Sequence, residues 1–325
     1  ARCSDAPAIV HMTRRASAMA ANNAAALAAD AGIHMKMTRG ERVGSFFIHL
    51  FVILFALACL LPFLMVIIVS LTEEKSITLN GYSLFPQNWS FAAYKMMFGK
   101  TSAVPRSYQV TGTATIVGTL AAVLITFGAG YTLASKQCRY RNGLSLYFYF
   151  TMVFSAGLVP WYMVSKAIGA YDNLLALIVP SLMFSPFNMF LVRNFVAGIP
   201  DALNESARID GAGDARIAFQ IYFPLCLPVL ATITLFYAIG YWNNYFNAVM
   251  LITDRKLYPL QMLLFQIQSE IQAMTKLMSG AARVNPPKEA FKMATSVITM
   301  GPIILLYPFL QKYFVKGLSI GAVKG

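Results

Sequence analysis

Charge is scarce in this chain. Only 12% of its 325 residues are Asp, Glu, Lys or Arg, against roughly a quarter in soluble domains. Together with 58% hydrophobic residues, that deficit excludes an ordinary water-soluble domain and points to a membrane protein. Cysteine is scarcer still. Cys3, Cys59, Cys138 and Cys226 lie far apart without CxxC spacing, which argues against a metal site and against a disulfide framework. Also missing are the G-x-x-x-x-G-K-[ST] nest for ATP phosphates, the H-E-x-x-H metal pair, and any grouping of Ser, His and acid suited to hydrolysis. The chain is therefore not expected to be an enzyme, nor to bind a metal or cofactor itself.

The charge that is present is lopsided, with a formal net value of +13. Its basic residues flank apolar runs and form no dense stripe interleaved with aromatics, so membrane lipid is the expected partner and nucleic acid is not. A span needs about 20 mostly apolar residues to cross roughly 30 Å of hydrocarbon. Six stretches qualify: Phe46–Leu71, Tyr108–Ala134, Gly143–Val164, Leu174–Val196, Leu225–Ile252 and Phe291–Phe314. An all-α polytopic membrane protein with six transmembrane helices is expected. Prolines such as Pro62, Pro160, Pro180, Pro186 and Pro228 fall inside or beside these spans, so kinks and close bundling are expected. Lys136, Arg139 and Arg141 crowd one tight connection, and Arg193, Arg208 and Arg216 lie between spans four and five. By the positive-inside rule both termini then face the cytosol. Residues 1–40 are expected to form a mobile cytosolic arm and residues 41–325 the membrane domain. The connections at 72–107 and 253–290 lie outside, the second with apolar spacing suited to a helix resting on other protein or on the membrane surface.

The middle of every span lacks Asp, Glu, Lys and Arg. Carriers driven by proton or sodium gradients keep ionisable groups or ion-coordinating broken helices at that depth. Uphill movement through this chain would need energy from elsewhere.

The connection at 197–224 contains "ESARIDGAGDARIAFQIYFP". Pro200 suits a first helical position, Asp201 the positive end of a helix dipole and Arg208 the negative end, with Gly211 and Gly213 ending the turn. A helix of about ten residues over Asp201–Asp210 is expected, with Ala202, Leu203, Ser206 and Ala207 on one small apolar face. So short a helix is marginal alone in water and needs a surface to rest on. A plain solvated connector is the alternative.

The order Glu205-Ser206-Ala207, then Gly211, then Ile221, then Phe223-Pro224 resembles the E-A-A-x3-G-x9-I-x-L-P loop of ATP-binding-cassette (ABC) importer permeases. Ser206 stands for Ala and Phe223 for Leu. The tail "QKYFVKGLSIGAVKG" is similar to that of maltose-type permease subunits, and "FSAGLVPWY" and "GYWNNYFNA" to carbohydrate permeases that import oligosaccharides and polysaccharide fragments, including an alginate-type importer. The resemblance covers about Glu41 to Gly325. It implies the type I importer permease architecture in a bacterial inner membrane, with a coupling helix docking on a dimeric cytosolic ABC ATPase that itself binds ATP and Mg. Glu205 would make the charged contact, Ser206 and Ala207 would permit close approach, and Gly211 would turn the chain. Arg208, Asp210, Ile221 and Pro224 complete the coupling set. The tail residues Gly317, Leu318, Ser319, Lys324 and Gly325 would reach the ATPase dimer. A second permease subunit, in a heterodimer, and an extracytoplasmic solute-binding protein are the other implied partners.

A substrate path is expected along Trp242, Asn243, Asn244, Tyr245 and Asn247, with Asn188 as a weaker member. Amides bond sugar hydroxyls, and aromatic rings cover the apolar sugar face. Interhelical hydrogen bonding at the bundle seam is an equal alternative for these asparagines. A passive channel or scaffold subunit is the rival for the whole chain, and it leaves the spaced loop unexplained.

Overall fold

The structure, a computed structural model, describes residues 39–99, 102–180, 182–278, 289–302 and 304. Every regular element among these is helical, and one antiparallel bridge joins Thr72 to Trp89. In order the helices are α1 (Arg39–Ser70), α2 (Glu74–Asn80), α3 (Ala92–Met97), α4 (Val104–Ala134), α5 (Arg141–Val153), α6 (Leu158–Ala167), α7 (Leu175–Ile178), α8 (Pro186–Ala197), α9 (Ala202–Ile209), α10 (Asp214–Arg216), α11 (Phe223–Leu225), α12 (Leu227–Trp242), α13 (Phe246–Leu251) and α14 (Leu260–Met278). A π-helical turn, Ile217–Tyr222, joins α10 to α11, and residues 289–302 are again helical. The chain divides into two units at Pro62. In the first unit residues 44–62 are apolar apart from Ser45 and His49, and none is buried. A bare surface of that size is intolerable in water and ordinary in lipid.

Two of the six expected spans are single helices, Gly44–Ser70 and Val104–Ala134. The third is two helices, α5 and α6, bent by 118° across Phe154–Gly157. Gly157, at φ +85°, permits that reversal. The fourth is split into α7 and α8: Pro180 lacks the backbone donor that would continue α7, and Pro186 opens α8 with its predecessor Ser185 extended at φ −121°. The fifth bends by 82° at Cys226, between Pro224 and Pro228, and breaks again after Trp242. Only the first part of the sixth falls within the described residues.

The main core of the second unit gathers α4, α8 and α12 around Phe127, Val192, Ile217, Ile233 and Tyr241. Small residues set the spacing. A Cβ on Gly130 would lie 2.8 Å from Val192 Cβ, so a side chain there would separate the helices. A second cluster seats α14 through Leu260, Leu263 and Leu264 against Val69, Trp242 and Phe291, giving the expected helix after span five a protein surface to rest on. Glu74 fastens the start of the 289–302 helix, its two carboxylate oxygens accepting the backbone N–H groups of Glu289 and Ala290 at 3.1 and 3.0 Å. Beside it Tyr82 donates to Glu289 Oε2 at 2.6 Å, and that bond to a carboxylate pushes the phenol up to about 12.

Candidate coupling site

The loop helix α9 starts at Ala202, flanked by Asp201 and Asp210 in the two cap positions. Pro200 precedes the cap instead of opening the helix. At the other end Gly211 N–H donates to Arg208 O and Ala212 N–H to Ala207 O, at 3.0 and 2.9 Å. That pair of bonds is a Schellman motif, and its left-handed residue is Gly211 at φ +78°. Ala207, 7% exposed, packs on the main core with Ala212 against the same cluster. Of the four residues expected to share an apolar face, Ala207 alone is buried. Ala202, Leu203 and Ser206 are exposed, as are Glu205 and Ile209. The small side chain of Ala207 therefore brings α9 close to its own bundle.

The tight connection after α4 braces this helix. Arg208 donates to Gln137 Oε1 at 2.6 Å and to Asn204 Oδ1 at 3.1 Å, and it pairs with Asp214. Lys136 pairs with Asp201. These exposed ion pairs contribute little to stability individually, yet together they fix one orientation of α9. Between the two connections lies a cavity of about 350 Å³ lined by Tyr131, Lys136, Arg141, Glu205, Arg208 and Tyr222, among others.

Beyond the glycines the chain enters the π turn. The Phe223 N–H bonds Ala218 O, five residues back, and Pro224 follows. A wider turn relieves the clash that a proline ring makes with the carbonyl four residues earlier. Ile221 packs on the main core from its edge and Pro224 is exposed. The tail residues Gly317, Leu318, Ser319, Lys324 and Gly325 lie outside the described residues.

The residues expected along the substrate path separate into two groups. Asn244 and Asn247 are buried, and their amides donate to Leu177 O at 3.0 Å and Pro180 O at 2.8 Å. Trp242 Nε1 donates to Thr299 O at 2.9 Å. Asn188 is buried, its backbone N–H bound to Ser185 Oγ at the start of α8. Asn243 and Tyr245 are exposed, the first accepting from Gln261 Nε2 at 3.0 Å and the second meeting Phe265 edge-to-face. Sequence reasoning missed Tyr237 and Tyr241. Both lie on the face of α12 turned to the α7–α8 break, and their spacing ahead of Asn244 and Asn247 was the available signal.

Residues 24–320 match the family described as "Binding-protein-dependent transport system inner membrane component". The chain is 38% identical over 289 residues to the polygalacturonan/rhamnogalacturonan transport system permease protein YtcP of Bacillus subtilis, covering 88% of this chain and 99% of that protein. It is 40% identical over 269 residues to protein LplC of the same organism, covering 82% and 90%. A solved bacterial ABC transporter involved in the import of the acidic polysaccharide alginate shares the fold with a TM-score of 0.74 at 29% identity, over 86% of this chain and 99% of that one. The match over nearly the whole length, together with the all-helical apolar architecture, makes this chain a multi-pass membrane translocation subunit that belongs to the inner-membrane components of binding-protein-dependent ABC transport systems.

Proposed function

We propose that this chain is the permease subunit of an ABC importer for oligosaccharides or polysaccharide fragments, acidic ones in particular, and that α9 couples it to a cytosolic ATPase. The names of its relatives support the substrate class: polygalacturonan, rhamnogalacturonan and alginate are all acidic polysaccharides. The observation that carries the coupling role is the outward face of α9, where Leu203, Glu205, Ser206 and Ile209 are exposed on a helix held rigidly by its own chain. Ile209 is 86% exposed at the tip of a charged loop, which suits a residue covered by a partner.

In this reading ATP and Mg bind the partner ATPase dimer, whose closure draws two coupling helices together. One belongs to this chain and one to a second permease subunit. Each helix moves its attached spans as a rigid body, because ATP stabilises one of two arrangements over the other. The site opens alternately to the two sides, both termini lie in the cytosol, and a solute-binding protein delivers the ligand from outside. The Glu205→Lys variant tests this. In the reconstituted importer it is expected to insert normally while losing uptake and the rise in ATPase turnover caused by the loaded binding protein. Undiminished uptake would overturn the coupling role. A passive channel predicts uptake without ATP.

A further inference from the structure

The N-terminal end of α4 lies far from the coupling cavity. Tyr131 lines that cavity, and Arg106 is 25 residues earlier on the same unbroken helix, about 38 Å away at 1.5 Å per residue. At this far end Arg106, Gln109 and Thr113 recur at helical spacing and, with Ser102, line a cavity of about 780 Å³. Lys256 closes its other side, where Arg106 Nε donates to Lys256 O at 3.0 Å. Val110, Leu174 and Leu257 supply apolar wall.

The charge here is unbalanced. Among the described residues no acid lines the cavity, and neither Arg106 nor Lys256 has an ion-pair partner. Of the nearby acids, Glu270 is taken by Arg255 at 3.3 Å, Asp254 caps the Lys256 backbone N–H at 2.9 Å, and Asp172 accepts the Thr253 and Asp254 N–H groups at 2.8 Å. Arg106 also sits in the first turn of α4, where the helix dipole adds positive potential instead of offsetting it. Two cations without an ion-pair partner among the described residues, the neutral side chains of Gln109 and Thr113 and an apolar wall form a surface matched to an anionic, hydroxyl-rich ligand. The volume lies within the usual range for small-molecule sites.

We propose that this cavity receives the carboxylate groups of an acidic oligosaccharide at the outer end of the bundle. Arg106 and Lys256 pair with the carboxylates, and Gln109 and Thr113 take sugar hydroxyls, while the Ser102 hydroxyl is held by Met97 O and Val104 N–H. This assignment rests on the importer reading and makes its substrate preference a property of this chain as well as of the binding protein. A lipid phosphate offers the same anionic chemistry, so the test must separate the two sources.

The complete importer is reconstituted with its binding protein in phosphatidylcholine vesicles. Uptake of trigalacturonate is compared with uptake of its carboxyl-reduced, neutral counterpart. The double variant Arg106→Gln/Lys256→Gln is expected to lose trigalacturonate uptake tenfold or more below saturation, with less than a twofold change for the neutral sugar. The charge-preserving pair Arg106→Lys/Lys256→Arg is expected to stay within threefold of wild type for both. Unchanged trigalacturonate uptake in the Gln pair would overturn the assignment and leave the importer reading intact. Equal loss of both sugars would overturn it in favour of binding-protein docking or folding, as would a loss in the charge-preserving pair as deep as in the Gln pair. A defect that follows added phosphatidylglycerol and ignores saccharide charge would assign the site to lipid. Wild-type uptake of the neutral sugar alone would remove the acidic ligand only, whereas uptake of neither sugar would bring down the importer reading and this inference together.

Discussion

Tyr241 donates its hydroxyl to the backbone carbonyl of Ile178 at 2.9 Å, and both residues are buried. Ile178 ends α7, where the fourth span breaks off. Tyr237 accepts Ser185 N–H at 3.0 Å on the far side of the same break, and Asn244 and Asn247 hold Leu177 O and Pro180 O. Four polar side chains spaced four, three and three residues apart thus satisfy the backbone groups that the broken helix leaves open. Irregular backbone inside a membrane is tolerated only on such terms.

Tyr241→Phe is accordingly expected to destabilise the purified subunit by about 1 kcal/mol, since one carbonyl loses its partner while the ring remains. Thermal unfolding in detergent measures it. Asn247→Leu is expected to lower the amount of folded protein, with uptake of all saccharides reduced in proportion. A change in saccharide preference at undiminished stability would place Asn247 in the substrate path instead.

Glycine spacing sets a second expectation. A Cβ on Gly118 would lie 2.5 Å from the Tyr241 ring, and that ring is fixed by its bond to Ile178. Gly118→Ala is expected to cost about 1–3 kcal/mol through overpacking, whereas Gly128→Ala, with open space around it, should be neutral. Parallel melting curves of the two variants decide the point.

These variants mark how far the sequence could be read. Apolar runs and the absence of mid-span charge revealed the membrane bundle, and the gaps between Glu205, Gly211, Ile221 and Pro224 pointed to the permease family that the whole-chain match shows. Run length could not reveal where spans three, four and five break. Pro180, Pro186 and Pro228 announced breaks, but whether a freed carbonyl finds Tyr241 or Asn247 depends on a helix some 60 residues away. The same long-range packing turned Ala207 inward and left Leu203 exposed, which a face assigned from α9 alone could not anticipate.

The loop carries its own expectation. Gly211 sits at φ +78° with no neighbouring atom within 4 Å of a Cβ, so an alanine there meets strain in its own backbone and no clash. About 1–2 kcal/mol of local stability is lost, enough to fray the end of α9 without unfolding the bundle. Gly211→Ala is expected to reduce coupled uptake and to speed hydrogen exchange at Arg208 to Ala212. Gly213→Ala, at φ −73° and equally uncrowded, is expected to do neither.

Acid sensitivity is expected at Asp172, between α6 and α7. Its Oδ1 accepts both Asp254 N–H and Thr253 N–H at 2.8 Å, and its own N–H donates to Leu251 O at 2.8 Å. The backbone bonds from Asp254, then Thr253, hold the carboxyl below the ordinary aspartate range. A depressed folded-state value means that the stabilisation is present above the unfolded-state value and is lost as pH falls through the folded one. The fastening of the α6–α7 connection to the end of α13 should therefore loosen below about pH 4 and be unaffected near neutrality. Asn at 172 tolerates the left-handed backbone, φ +51° in this position, and its amide oxygen still accepts hydrogen bonds, but it does not titrate. Unfolding of wild type and Asp172→Asn in detergent from pH 7 to pH 3 checks this, with the difference between them expected to shrink or reverse in acid. A constant difference across that range would show that the Asp172 charge has no part in holding the connection.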